Sequence, residues 1–279
     1  MTNTIRSLYD EALKLIDDKN VFNRDILFLM EACFNVTYND ILIHGDKTIN
    51  DEDFREKLNR LIEGEPVEYI VNYADFYGLR FKVTQDTLIP RNETEELIEK
   101  TIRYISSLKI ESPLIIDIGS GSGCIAITLM KNIEGAKVDS VDISTKALEV
   151  AKSNNESIGT NVNFYLSDCL TEPSLNSKKY DVIISNPPYI DRDTFVQESV
   201  LKYEPHSALF ADEKGLAVYR KIFKDVKYVE KEKCLIALEI SPDLVEGLTN
   251  LRNEYLRDYK YSFEKDMNGL VRFMFLYRD

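Results

Sequence analysis

The chain has 279 residues, a length that suits about two domains, and its 44% hydrophobic and 30% charged content is that of a globular protein, not a disordered one. A formal net charge of −13 argues against a protein that holds nucleic acid chiefly through phosphates, because that needs a basic surplus or stripe. Lysines are scattered, and short runs such as Lys227 to Lys233 also contain Glu230 and Glu232, so no direct nucleic-acid contact is expected.

The segment from Met1 to Asp18 mixes Arg6, Asp10, Glu11 and Lys14 with its apolar residues and does not read as a signal peptide. Leu8, Ala12, Leu15 and Ile16 follow helical spacing, as do Ile26, Leu29, Met30 and Cys33, and then Phe54, Leu58, Leu61 and Ile62. Asn50, followed by Asp51, Glu52 and Asp53, predicts a helix start with anionic groups near the positive end of the dipole. Gly64-Glu65-Pro66 ends that region. Residues 1–75 therefore read as a small helical domain with 16 acidic and 8 basic residues, a charge best read as a solvated surface.

From Phe76 to Val83, the alternation around Tyr77-Gly78-Leu79 predicts a short β-hairpin, and residues 76–92 read as a linker. Beyond it, strands are predicted at Leu114–Ile118, Lys137–Ile143, Val162–Leu166, Asp181–Ser185 and Cys234–Ile240, with helices such as Ser144–Ser157 and Ser241–Tyr255 between them. That rhythm implies an α/β domain over 93–279 with a parallel sheet covered on both faces. Tyr259–Glu264 and Val271–Tyr277, joined through Met267-Asn268-Gly269 with no room for a helix, predict an antiparallel hairpin at one sheet edge. No apolar run approaches the roughly 18 residues of a membrane span. The cysteines Cys33, Cys124, Cys169 and Cys234 form no CxxC pair, and only His44 and His206 are left for a metal site, so reduced thiols, no metal and a cytoplasmic address are expected.

The first sheet strand runs into Asp117-Ile118-Gly119-Ser120-Gly121-Ser122-Gly123, and a helical pattern starts at Cys124. Glycines there let the backbone turn sharply and approach a ligand, and the free N–H groups of the next helix face it. Asp142 ends the second strand, 19 residues after Gly123, where a carboxylate can accept hydrogen bonds from both ribose hydroxyls. The spacing is not G-x-G-x-x-G and the loop has no Lys. The Asp117 carboxylate suits a cationic, amino-acid-like ligand better than a pyrophosphate. A tight turn without a ligand is the alternative.

The fourth strand delivers Asn186-Pro187-Pro188-Tyr189 to the same edge. Two prolines fix φ and remove two donors, which leaves carbonyl acceptors on a stiff scaffold beside the Asn186 amide oxygen. Two rigid acceptors can take both hydrogens of an –NH2 group and aim its nitrogen at an electrophile, while Tyr189 can stack on the flat group and exclude water. A rigid loop start after a strand is the alternative.

Taken together, these residues resemble the class I methyltransferases, and within them the protein-(glutamine-N5) methyltransferases of peptide-chain release factors. The resemblance extends over nearly the whole chain through Glu65–Ile70, Phe76–Leu79, Leu88–Glu95, the glycine loop, Asn186–Tyr189, Tyr203-Glu204-Pro205 with Ala208-Leu209-Phe210, and Asp266, Gly269 and Arg272. It implies a helical substrate-recognition domain, a hairpin linker and a seven-stranded, mostly parallel, Rossmann-like catalytic domain. It also implies methyl transfer from S-adenosylmethionine to the glutamine of the Gly-Gly-Gln motif of class 1 release factors, its protein partners. By position, Gly119, Ser120, Gly121, Ser122 and Gly123 should line the methionine part of the cofactor and Asp142 its ribose. Ser167, Asp168 and Cys169 should border the adenine, with stacking open because the family often has an aromatic residue at the place of Cys169. Asn186 should touch cofactor and substrate, and Pro187, Pro188 and Tyr189 should hold the glutamine amide, so Asn186, Pro187 and Tyr189 are the expected catalytic residues.

Arg91, Thr94 and Glu95 match as well, either as ligand contacts or as a capped helix start around Asn92 or Thr94. Glu204 is open between a ligand contact and a loop-ordering carboxylate, and Cys124 reads as a small buried filler. Two other functions compete: an amino-methyltransferase acting on a flipped adenine or cytosine, and a non-catalytic partner protein that binds S-adenosylmethionine or a helix.

Overall fold

The computed structural model describes residues 3–16 and 21–278. Met1 and Asp18, the ends of the segment that does not read as a signal peptide, lie outside the described residues. Contacts divide the chain into two compact units, Met1–Tyr73 with Gln197–Tyr203, and Ala74–Val196 with Glu204–Asp279.

The helical unit holds α1 (Ile5–Leu15), α2 (Asn23–Phe34), α3 (Tyr38–His44), α4 (Glu52–Ile62) and α5 (Val67–Val71). Leu8, Ala12 and Ile16 of the predicted stripe are buried, as are Ile26, Leu29, Met30, Phe54, Leu58 and Leu61, and together they form the core of this unit. Leu15 points outward, 47% exposed, because the end of α1 turns it away from that core. Asp51 caps α4, with Glu52 and Asp53 in its first turn, as the charge pattern predicts. Gly64, at φ +89°, stops α4, but Pro66 then caps α5, a further helical turn that the glycine-proline signal concealed.

The second unit opens at Ala74, within β1 (Tyr73–Phe76), and continues into β2 (Leu79–Lys82); the turn residues Tyr77 and Gly78 have φ +50° and +72°. Positive φ at both turn positions matches the twist of a tight hairpin. The first strand starts three residues earlier than expected. Phe76 and Phe81 are buried in the core of the sheet unit, which is why the segment read as a linker groups with that unit.

Next come α6 (Asn92–Ser107), β3 (Leu114–Ile118), α7 (Cys124–Asn132), β4 (Lys137–Asp142), α8 (Thr145–Ile158), β5 (Asn163–Leu166) and β6 (Tyr180–Ser185). The rest is α9 (Glu198–Tyr203, in the helical unit), α10 (His206–Leu209), α11 (Ala217–Asp225), β7 (Glu230–Glu239), α12 (Val245–Tyr255), β8 (Lys260–Lys265) and β9 (Val271–Arg278). The predicted helix from Ser241 begins as a short 3₁₀ turn at Pro242–Leu244 before α12. Seven strands lie in the order β5-β4-β3-β6-β7-β9-β8, parallel except for β9, which runs antiparallel to both β7 and β8.

Successive β3 residues bury to opposite faces. Ile115 packs on the face that holds Leu97, Ile98 and Ile105 of α6, while Ile116 and Ile118 pack on the face that holds Tyr219, Ile222 and Phe223 of α11. A strand buried on both faces reads as a nearly continuous apolar run, which is why β3 is visible in the sequence. The order reverses between β3 and β6, so a crevice opens at their carboxyl ends, the place where such sheets bind ligands.

Candidate active site

The loops after β3 and β6 leave the sheet side by side, with Ile118 paired in register with Ser185. A Cβ on Gly119 would lie 3.9 Å from the Asn186 carbonyl oxygen. Gly119, Ser120, Gly121 and Ser122 form one wall of a cavity of about 380 Å³, and Asn186, Pro187 and Pro188 form another. Asp142, Ser167, Asp168 and Cys169 line the same cavity, as do Arg91 and Thr94.

Gly123 does not line it. It begins α7 at φ +83°, and a Cβ there would sit 2.9 Å from Ile127 and 3.2 Å from the Ala151 methyl. Its missing side chain serves packing against α8 in place of ligand contact. Tyr189 also stands outside the lining residues. It packs on the core beneath, where burial pushes its hydroxyl pKa up to about 12. Its carbonyl oxygen would lie only 2.2 Å from a Cβ on Gly215, so the loop end is clamped from below.

Asp142 accepts from the Gly121 N–H at 2.9 Å and, through its other oxygen, from the Ser144 N–H at 2.8 Å. Burial raises its pKa while these donors lower it. Asp117, read as facing a cationic ligand, stands behind the loop, fully buried. Ser140 donates to one of its oxygens, the other has no partner among the described residues, and burial lifts its pKa to about 8. Cys169 is held at φ +54°, with its carbonyl accepting from the Ser167 hydroxyl, and Asp168 pairs with Lys221 at 2.7 Å.

α6 starts at Asn92, as one of the two readings expects, and the cap residue beside it is Arg91, which makes no side-chain cap bond. Its guanidinium pairs instead with Glu204, whose side chain is almost wholly buried, so Glu204 anchors its own loop to the helix start. Glu95 accepts from the Tyr77 N–H and thereby fixes the hairpin turn. The Thr94 hydroxyl, buried, donates to Glu239 at 2.7 Å and accepts from Asn186 Nδ2 at 3.0 Å. Glu239 ends β7, and burial raises its pKa to about 7. Neither Glu239 nor Asn154, which bonds both Lys82 and the Ser122 carbonyl, was visible as part of the site. A polar residue inside an apolar strand end or helix face was the one available signal.

The family models that match the chain are "Methyltransferase small domain" over residues 101–204 and "PrmC N-terminal domain" over residues 9–71. A release factor glutamine methyltransferase of Streptococcus pneumoniae is 37% identical over 252 residues, 88% of each chain. Another of the same name from Staphylococcus aureus is 36% identical, covering 93% of this chain and 94% of its own. Among solved structures, the hMettl16 catalytic domain in complex with the MAT2A 3'UTR hairpin 1 is 16% identical with TM-score 0.56, covering 94% of this chain and 93% of its own, a likeness that shows the fold alone. Identity of this degree over nearly the full length settles the family, and the chain belongs to the release factor glutamine methyltransferases.

Proposed function

We propose that this protein transfers a methyl group from S-adenosylmethionine to the side-chain amide nitrogen of the glutamine in the Gly-Gly-Gln motif of class 1 release factors. The observation that carries the site assignment is the Asn186 amide, tied by its Nδ2 to Thr94 beside the glycine loop. Its Oδ1 is thereby left as an acceptor for the cavity.

The cavity fits the cofactor in size and in chemistry. Asp142, pointed by two backbone N–H groups, is set to accept from the ribose hydroxyls, and Gly119 to Ser122 leave room for the methionine part. Asp168 and Cys169 form the adenine end. Bound S-adenosylmethionine supplies an electrophilic methyl on a positively charged sulfur.

An amide nitrogen is a weak nucleophile because its lone pair is shared with the carbonyl. Asn186 Oδ1 and the Pro187 carbonyl accept its two hydrogens and hold the lone pair on the line of transfer. Methyl transfer from the bound cofactor's sulfur would place a developing positive charge on this nitrogen. The same two oxygens stabilise that charge, and one proton then leaves to water. Pro188 stiffens this loop, and Tyr189 anchors it from the core in place of stacking on the substrate. The helical domain over 1–75 is read as the part that helps grip the release factor, 76–92 as the hairpin linker and 93–279 as the catalytic domain. Among the described residues no single helix is long and apolar enough to cross a membrane. A cytoplasmic address goes with the substrate.

The test is to incubate protein, labelled S-adenosylmethionine and unmodified release factor, and then to locate the label by peptide mass spectrometry. One methyl on the Gly-Gly-Gln glutamine is expected, absent with Asn186→Ala while the fold stays intact. Full transfer by that variant, or label on nucleic acid instead, would overturn the reading.

A further inference from the structure

The Asn186 amide can present either its oxygen or its NH2 to the cavity, and only the oxygen can accept a hydrogen from a substrate –NH2 group. Something must choose between the two faces. Thr94 and Glu239 stand directly behind it, on α6 and at the end of β7, both about 2% exposed. The ionised carboxylate of Glu239 has no proton to give, so the Thr94 hydroxyl spends its single proton there, at 2.7 Å. Toward Asn186 the Thr94 oxygen then has only lone pairs, and the group it meets at 3.0 Å must be a donor. The Asn186 amide is planar, so fixing Nδ2 against Thr94 turns Oδ1 the other way.

We infer that Thr94 and Glu239 are positioning residues, a two-step hydrogen-bond relay whose direction locks the Asn186 carbonyl oxygen toward the substrate amide. This rests on Asn186 being the acceptor in the reading above. Neither residue needs to touch substrate through this relay. If Glu239 is neutral, its own hydroxyl can donate to Thr94. Thr94 then recovers a proton for Asn186, and either face of the amide is allowed.

The groups that set the charge of Glu239 come from every side. Burial opposes ionisation most strongly and Glu93 on α6 adds to it, while the Thr94 hydroxyl, Arg272 on β9 and Arg91 before α6 favour the charged form without outweighing burial. Tyr189, Tyr219 and Cys124 also feel its charge, and Tyr219 donates to the Glu239 backbone carbonyl. With its pKa lifted to about 7, the carboxylate is charged above that pH and neutral below it. The lock therefore holds on the alkaline side and is released on the acid side.

Single-turnover rates should be measured with full-length protein, S-adenosylmethionine and release factor for Thr94→Val, Thr94→Ser, Glu239→Gln and Asn186→Ala, alongside cofactor affinity and melting temperature. Thr94→Val keeps the shape and loses the hydroxyl, so its rate is expected to fall roughly 10- to 100-fold with KM for the release factor and cofactor affinity little changed. Thr94→Ser should recover most of that loss. The unaltered protein is expected to speed up as pH rises through about 7, and Glu239→Gln, whose amide can donate as well as accept, should be slowed and should lack that rise. A Thr94→Val protein as fast as the unaltered one overturns the relay, and so does a Thr94→Ser protein as slow as Thr94→Val. If Thr94→Val does not fold, Glu239→Gln decides alone, and an unchanged rate and pH profile overturn the proposal. A fully active Asn186→Ala removes the underlying reading instead, whatever the other variants do.

Discussion

Asp117 carries its carboxylate into the sheet just before the glycine loop, where only Ser140 donates to it and one oxygen has no partner among the described residues. Burial is the main reason its pKa rises to about 8, Ser140 works against the rise, and the nearby Asp142 adds to it. The unfolded chain loses this proton near the ordinary carboxylate value, whereas the folded chain keeps it until about pH 8. The folded state thus binds more protons across that window, so the stability this group contributes is present in acid and is lost as pH rises through about 8. Asp117→Asn should remove that slope. In thermal melts of the unliganded protein from about pH 5 to about pH 9, the variant is expected to gain on the unaltered chain as pH rises. Parallel curves would rule out the burial account.

At the scale of elements, α8 does more than cover the sheet. Its Asn154, 2% exposed, accepts from the Lys82 N–H at 2.7 Å and donates to the Lys82 carbonyl at 2.9 Å and the Ser122 carbonyl at 2.8 Å. One side chain thereby ties the hairpin strand β2 and the glycine loop to the same helix. The packing of Gly123 against Ala151, three residues earlier on α8, brings loop and helix close enough for this. Asn154→Ala strands buried backbone groups and should cost about 1–3 kcal/mol in urea unfolding, a penalty larger than that of an average exposed substitution. A loss below about 0.5 kcal/mol would show that water replaces the side chain freely.

Across the whole molecule, the formal charge of −13 bears on which flat amine can be the substrate. Sixteen of the acidic residues fall in the first 75 positions against eight basic ones, so the surplus is concentrated there. A fold shared with a catalytic domain solved in complex with a 3'UTR hairpin leaves the substrate open, because a fold does not by itself fix a function. Charge and family decide it in favour of protein glutamine. Equilibrium binding to duplex DNA and to single-stranded RNA at about 0.15 M salt is expected to be weaker than about 100 μM, the weak end of non-specific affinity. Tighter, steeply salt-dependent binding would return nucleic acid to consideration.

The strands β3 to β6 were legible to within a residue or so; burial on both faces makes β3 and β6 nearly continuous apolar runs, whereas β4 carries Asp139 and Ser140 and the edge strand β5 is at most half-buried. β7 starts at Glu230, four residues before the predicted Cys234, because Tyr180 pairs with the polar residue Glu230 and periodicity gives no sign of that partner. The glycine loop and Asn186-Pro187-Pro188-Tyr189 were equally legible, since tight turns and fixed φ angles are local demands on neighbouring residues. By itself, then, the sequence determined the layered fold, the two loops that meet at the crevice and the family. Only the tertiary structure decided which members of those loops face the cavity, turning Gly123 to α8 and Tyr189 to the core. It alone joined Thr94 to Glu239 across 145 residues, because a hydrogen bond between distant elements leaves no period or spacing in the chain that forms it.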